Sequence, residues 1–145
     1  MATFVKVNDF VENLAHGVFN LSTNQLAVAL SNTAPGSESS PPTASGNGVL
    51  ANVTQITYTN LSSRNITTST SEETSGTYKL VLTDLVLTAS GSVGPFRYVY
   101  IFSDTPTSPA DPIIGYYDYG SSITLANSET FTVDFDPTNG VIQLV

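Results

Sequence analysis

The sequence contains no cysteine, which excludes a disulfide framework, a thiolate metal site and a cysteine nucleophile. Stability has to come from packing alone. Cations are scarce as well: Lys and Arg total 4 against 12 Asp and Glu, for a net charge of -8. A chain this acidic is repelled by phosphate, so no nucleic-acid partner is expected. A basic or neutral protein surface is the expected neighbour. The single histidine, His16, has no second imidazole with which to share a metal, and its place in the last turn of a helical stretch suits the helix dipole.

The patterns of catalysis are missing too. No G-x-S-x-G, H-E-x-x-H or G-x-x-x-x-G-K-S/T occurs, and the one adjacent acidic pair, Glu72 and Glu73, lies in a polar turn stretch with nothing to split its pKa values. An enzyme is therefore not expected, and no catalytic, cofactor or metal residue is assigned. One arrangement stays open, a glycosidase built on separated acids such as Asp118 and Asp134, because pairing in space is invisible in a sequence. Long apolar runs are absent: MATFVKVNDFVENLAHG is interrupted by Lys6, Asp9 and Glu12, so it resembles neither a secretion signal nor a membrane span. Synthesis in a cytoplasm and no membrane partner are the expectations. The N-x-S/T matches at Asn20, Asn52, Asn60 and Asn65 arise by chance in a chain so rich in these residues.

What is present reads as strand and turn. Only 11% of residues are charged, and Ser plus Thr supply roughly a quarter of the chain, a composition that favours strands and turns over helices. At 145 residues the chain is the size of one domain with a core of its own. Its most apolar stretch is Gly94 to Asp104, GPFRYVYIFSD, in which Phe96, Tyr98, Tyr100 and Phe102 alternate with Arg97, Val99 and Ile101. Period two with apolar residues on both sides predicts a central strand covered on two faces. Ile113, Ile114, Tyr116, Tyr117 and Tyr119 predict a second aromatic strand, with Gly115 at a bulge or a close backbone approach. Between them, Asp104 and Asp111 flank a Pro-rich loop; they could share a cation, although their spacing matches no calcium loop.

Around this pair the expectations follow in order. Val7, Phe10, Val11, Leu14 and Val18 have helical spacing, so residues 5–17 are predicted as a short helix, capped by Asn8 or Asp9 and ended by Gly17. Asn24 to Leu30 alternates Leu26, Val28 and Leu30 with Gln25, Ala27 and Ala29, a strand with one buried face. Residues 31–48 form a long polar loop, either a solvated excursion or an arm that orders on a partner. Val49 to Tyr58 reads as one helical turn leading into a strand, Arg64 to Thr70 as a polar edge strand, and Ser71 to Gly76 as a turn. Thr77 to Thr88 is one bulged strand or two strands that switch sheets at Asp84. Gly120 to Ser122 is a turn. Glu129 to Phe135 turns Phe131, Val133 and Phe135 inward and Thr130, Thr132 and Asp134 outward. Asn139-Gly140 is a hairpin dipeptide before a last strand from Val141. The fold class is all-β: a single antiparallel β-sandwich domain over 1–145, jelly-roll-like, with a short N-terminal helix.

The opening MATF with its helix, the segment NLSTNQLAVALSNTAP, and the C-terminal half carrying GPFRYVYIFSDTPTSPADPIIGYYDYGSSITLANSETFTVDFD resemble a group of small structural proteins of tailed double-stranded DNA bacteriophages, cyanophages among them. The resemblance spans most of the chain and is strongest from about Ser75 to Val145. It implies a capsid decoration, or cement, protein: a virion component on the capsid surface that binds the major capsid protein and itself, as a dimer or trimer, and braces the head. Alternatives are a tail or head-tail connector component, or a carbohydrate or host-surface binding module of a virion fibre that stacks ligand on Tyr116, Tyr117 and Tyr119.

Overall fold

The stretch Val93–Ser103, with Phe96, Tyr100 and Ile101 fully buried, is the centre of the protein. The computed structural model describes residues 2–145. In chain order the elements are β1 (Phe4–Lys6), α1 (Asn8–Ala15), β2 (Leu26–Ser31), β3 (Asn65–Ile66), β4 (Thr68–Thr74), β5 (Thr77–Leu82), β6 (Leu85–Thr88), β7 (Val93–Ser103), β8 (Ile113–Leu125), β9 (Thr130–Val133) and β10 (Ile142–Leu144), with a single 3-10 turn over Leu50–Asn52. The strands form three antiparallel sheets in the orders β1-β8-β7-β2-β3, β10-β5-β4 and β6-β9. The result is an all-β sandwich with one short N-terminal helix.

The five-stranded sheet has two covered faces, and different things cover them. On one, Leu26, Val28 and Leu30 of β2 lie beside Val99 and Ile101 of β7 and Tyr117 of β8. β9 and the segment after it pack here: Phe96 meets Phe131 edge to face at 5.2 Å, and Tyr117 meets Phe135 at 6.3 Å, distances at which aromatic pairs attract beyond their buried area. On the other face, Ala27, Ala29 and Ser31 pair with Phe102, Tyr100 and Tyr98. β2 is thus buried throughout, not on one side as its alternation predicts, because Ala27 and Ala29 also lie under a cover.

The long loop lies on that face, with Glu38 close to Tyr100. It is neither a solvated excursion nor an arm waiting for a partner: Pro35, Glu38, Pro42 and Gly48 are buried. Glu38 Oε1 accepts from the Thr54 amide at 2.8 Å, and Ser31 Oγ donates to the Thr54 carbonyl at 2.6 Å. The Gly48 carbonyl accepts from Ile113 N at 2.9 Å. A loop too polar to make its own core orders because its buried backbone groups find partners on a sheet already formed. The segment after the 3-10 turn forms no strand. It runs extended beside β2, with Ile56 N donating to Leu30 O at 3.0 Å and Tyr58 Oη accepting from Leu30 N at 2.9 Å.

The N-terminus differs from its expected 5–17 helix. Phe4, Val5 and Lys6 pair with Tyr117, Tyr116 and Gly115 of β8, since an edge ladder satisfies backbone groups that three frayed helical residues would leave open. The helix begins only at Asn8, its N-cap is Val7, and no side chain caps it. Asp9 binds elsewhere. Its two oxygens accept from Gly46 N and Gly48 N, each at 2.8 Å, and tie down the far end of the long loop. Val7 and Phe10 are buried, but Val11 is 56% exposed, so the apolar stripe is narrower than its spacing implies. Gly17, at φ 76°, ends the helix as expected.

Other boundaries move for local reasons. The polar edge expected over Arg64 to Thr70 divides between β3 and β4, on two different sheets. Ser71 to Thr74 continues β4 into the hairpin with β5, and only Ser75 and Gly76, with φ 54° and 83°, make the turn. Two consecutive positive φ angles match the turn whose twist suits antiparallel strands. Of the two readings of Thr77 to Thr88, the chain takes the sheet switch: β5 and β6 lie in different sheets. Asp84 accepts Phe135 N at 2.8 Å across the corner. Gly120 to Ser122 is no turn but a bulge within β8, where register slips between the pairs Tyr98↔Asp118 and Phe96↔Ile123. Asn139-Gly140 makes no hairpin. Asp136 accepts from Thr138 N and Asn139 N at 2.8 and 2.9 Å. The chain then crosses so that β10 pairs with β5 while β9 pairs with β6.

Candidate functional site

The residues considered from the sequence are scattered. His16 sits at the exposed end of α1, 3.8 Å from Glu12, and among the described residues no group of three or more His, Cys, Asp and Glu could hold a metal. Glu72 faces Lys79 across the β4–β5 ladder, and Glu73 accepts the Gly76 amide of the turn. Asp104 and Asp111 do come together. Burial, then repulsion and a hydrogen bond from Asp104, push the Asp111 carboxyl above its usual range. Asp118 is gripped by Arg97, with Nε at 2.7 Å from one oxygen and Nη2 at 2.8 Å from the other. Those hydrogen bonds hold its carboxyl below the ordinary value, the opposite of what a general acid needs.

The three tyrosines of β8 form no row. Alternation sends Tyr116 to the loop-covered face, where its ring lies 5.5 Å from Tyr100, while Tyr117 and Tyr119 share the opposite face. Tyr117 packs on Phe4 at 5.1 Å. Burial, then the charges of Asp134 and Asp136, push its hydroxyl up to about 12. Tyr119 is 51% exposed, with its ring 5.5 Å from Phe131 at 75°.

Those two rings and their neighbours enclose the candidate site, a cleft of about 170 Å³ lined by Ala2, Val99, Tyr117, Tyr119, Phe131, Thr132, Val133 and Asp134. β7 supplies the floor, β8 one wall and β9 the other. The cleft exists because β8 and β9 belong to different sheets: the layers meet through Phe96–Phe131 and Tyr117–Phe135 and leave a gap between these contacts. It is smaller than the roughly 300–1,000 Å³ of a drug-sized ligand site and matches one side chain. Its walls are aromatic and aliphatic; its rim carries the Asp134 carboxylate. Among the described residues Arg97 pairs with Asp118 and His16 lies 3.8 Å from Glu12, and Asp134 belongs to neither contact. Sequence reasoning turned Phe131 and Val133 inward and Asp134 outward, and singled out Tyr117 and Tyr119. The signal it lacked was the packing of β9 across β8. No protein-family model, curated protein or solved structure matches the chain.

Proposed function

We propose that this chain is a structural, protein-binding component of a tailed bacteriophage particle, a decoration protein that seats on the outside of the major capsid protein lattice and braces the head. The observation that carries the reading is the cleft between β8 and β9, an apolar hollow sized for one inserted side chain, taken with the likeness of the sequence to small phage structural proteins. A decoration protein works through modest contacts repeated over a symmetric lattice, each bound copy stabilising the shell by mass action. A sandwich whose long loop is pinned by Asp9 and Glu38 presents such contacts with little ordering cost on docking. Its net charge of -8 keeps free copies soluble and apart.

The test is quantitative mass spectrometry of purified virions. A copy number near that of the major capsid protein supports decoration. A few copies per particle move the protein to the tail or connector, and absence from virions overturns the reading. A second reading, a carbohydrate-binding module, is favoured by the half-exposed Tyr119 ring beside Phe131; it requires glycan binding that Tyr119→Ala abolishes.

A further inference from the structure

The chemistry of the cleft selects its occupant more narrowly than its size does. Tyr117, Tyr119 and Phe131 present three rings, with Tyr119 and Phe131 edge to face at 5.5 Å. Aromatic faces carry negative electrostatic potential and attract cations placed over them. The Asp134 carboxylate stands on the rim, and the charges of Asp134 and Asp136 both reach the Tyr117 hydroxyl. Among the described residues, three of the four lysines and arginines are engaged elsewhere. Arg97 holds Asp118, Arg64 lies over the Tyr58 ring and bonds Val28 O, and Lys79 donates to Thr138 O. The remaining one, Lys6, is on β1 opposite Gly115, at the end of that strand away from Ala2. Asp136 is also occupied, by the amides and side chain of its own turn. Asp134 is therefore the carboxylate left facing an aromatic hollow without a cation among the described residues.

We propose that the β8–β9 cleft is a receptor for one basic side chain, arginine or lysine, carried by a partner protein: the aliphatic stem lies against Val99 and Val133, the charged head over Tyr119 and Phe131, and Asp134 accepts its hydrogen bonds. The stem fits because basic side chains bury their methylenes and keep the charge at the mouth. The pairing with Asp134 is the charge-assisted kind that gives both strength and register. The assignment rests on the protein-binding reading above, and its partner on a phage head is then a basic residue of the capsid lattice.

The test is a heteronuclear NMR titration of the full chain with N-acetyl-arginine amide, N-acetyl-lysine amide and the neutral N-acetyl-norleucine amide, with choline and a panel of monosaccharides in parallel. The expected result is saturable shifts at the amides of Tyr119, Phe131 and Asp134 with the two basic amides, and about tenfold weaker binding in Asp134→Asn and in Tyr119→Ala. Asp134 is an exposed side chain, so its isosteric variant keeps the fold. Equal binding of norleucine amide, unchanged affinity in Asp134→Asn, no binding by any probe, or tighter binding of choline or a sugar each overturns the assignment. Failure here, with the protein abundant in virions, removes the cleft assignment alone; binding here, with the protein absent from virions, removes the phage reading alone.

Discussion

Replacing Asp9 with alanine tests whether the long loop is held from the helix. The Asp9 carboxylate accepts Gly46 N and Gly48 N at 2.8 Å each, and a hydrogen bond to a charged group contributes roughly 1.5–3 kcal/mol. The two amides differ. Gly46 is exposed and regains water when Asp9 is removed, whereas Gly48 is buried and is left without a partner. Asp9 also stands in the first turn of α1, where an acid adds about 0.3–1 kcal/mol through the helix dipole. Crediting the exposed bond little and the buried one fully gives a loss of about 2–4 kcal/mol, or a fall in Tm of roughly 6–12 °C for a domain of this size. Asn is a poor substitute, because its one oxygen satisfies one amide and its NH2 opposes the other. The assay is thermal denaturation followed by circular dichroism, with limited proteolysis of residues 36–47 below the transition. The loop opens locally before the domain unfolds, so cleavage should accelerate more than global stability falls. A loss below about 0.5 kcal/mol, the range of ordinary surface substitutions, with unchanged cleavage, would refute the reasoning.

Three further outcomes are expected. Gly115→Ala drives a Cβ onto the Val5 carbonyl and the Phe4 ring, so β1 must separate from β8; chemical denaturation should show a loss of more than about 2 kcal/mol, well above a surface change. Tyr100→Phe removes a buried hydroxyl with no hydrogen-bond partner in the protein, within reach of the Glu38 charge. Relieving that desolvation should stabilise the protein by up to about 1–3 kcal/mol, and a measured loss of stability would show that the hydroxyl is bonded. Asp111→Asn should stabilise the protein at neutral pH, for two reasons. Asp111 sits at φ 49°, a region Asn tolerates well, and its carboxyl is raised by burial and by Asp104. A carboxyl raised in the folded state favours its proton there, so it destabilises the fold as pH rises through the carboxylate range and fully above it. The gain in Tm should therefore be larger at pH 7 than at pH 3, and an equal gain at both would leave only the backbone effect.

Period-two alternation over Tyr98 to Phe102 was enough to predict a central strand covered on both faces, although Phe96 crosses to the Phe131 side at the register slip before Tyr98; Phe131, Val133 and Phe135 were correctly turned inward. Local chemistry also specified Gly17 as a helix end and Gly115 as a close approach. These features depend on a few neighbouring residues, and side-chain periodicity reports them directly. The cleft was legible only in pieces: Tyr117 and Tyr119 stood out as rings and Asp134 as an outward acid, but nothing in the order of residues says that β9 lies across β8.

Long-range pairing decided the rest. Asp9 reads as a helix cap until Gly46 and Gly48 arrive beside it from 37 and 39 residues away. Asn139-Gly140 reads as a hairpin until Val141 N bonds Leu80 O at 2.8 Å and commits the last strand to β5. The Ser31 to Gly48 stretch has no periodicity of its own and takes its shape from its bonds to Thr54, Asp9 and Ile113, with Glu38 brought near Tyr100. For Asp9 the local capping preference is worth about a kilocalorie, and the buried, charge-assisted bond to Gly48 is worth more. The amino-acid order alone therefore determined the all-β class and the inward faces of the most regular strands, but not the first strand or the ends of β4 and β8. The three-dimensional packing decided which strands pair, what covers the second face of the central sheet, and where the one-side-chain cleft opens.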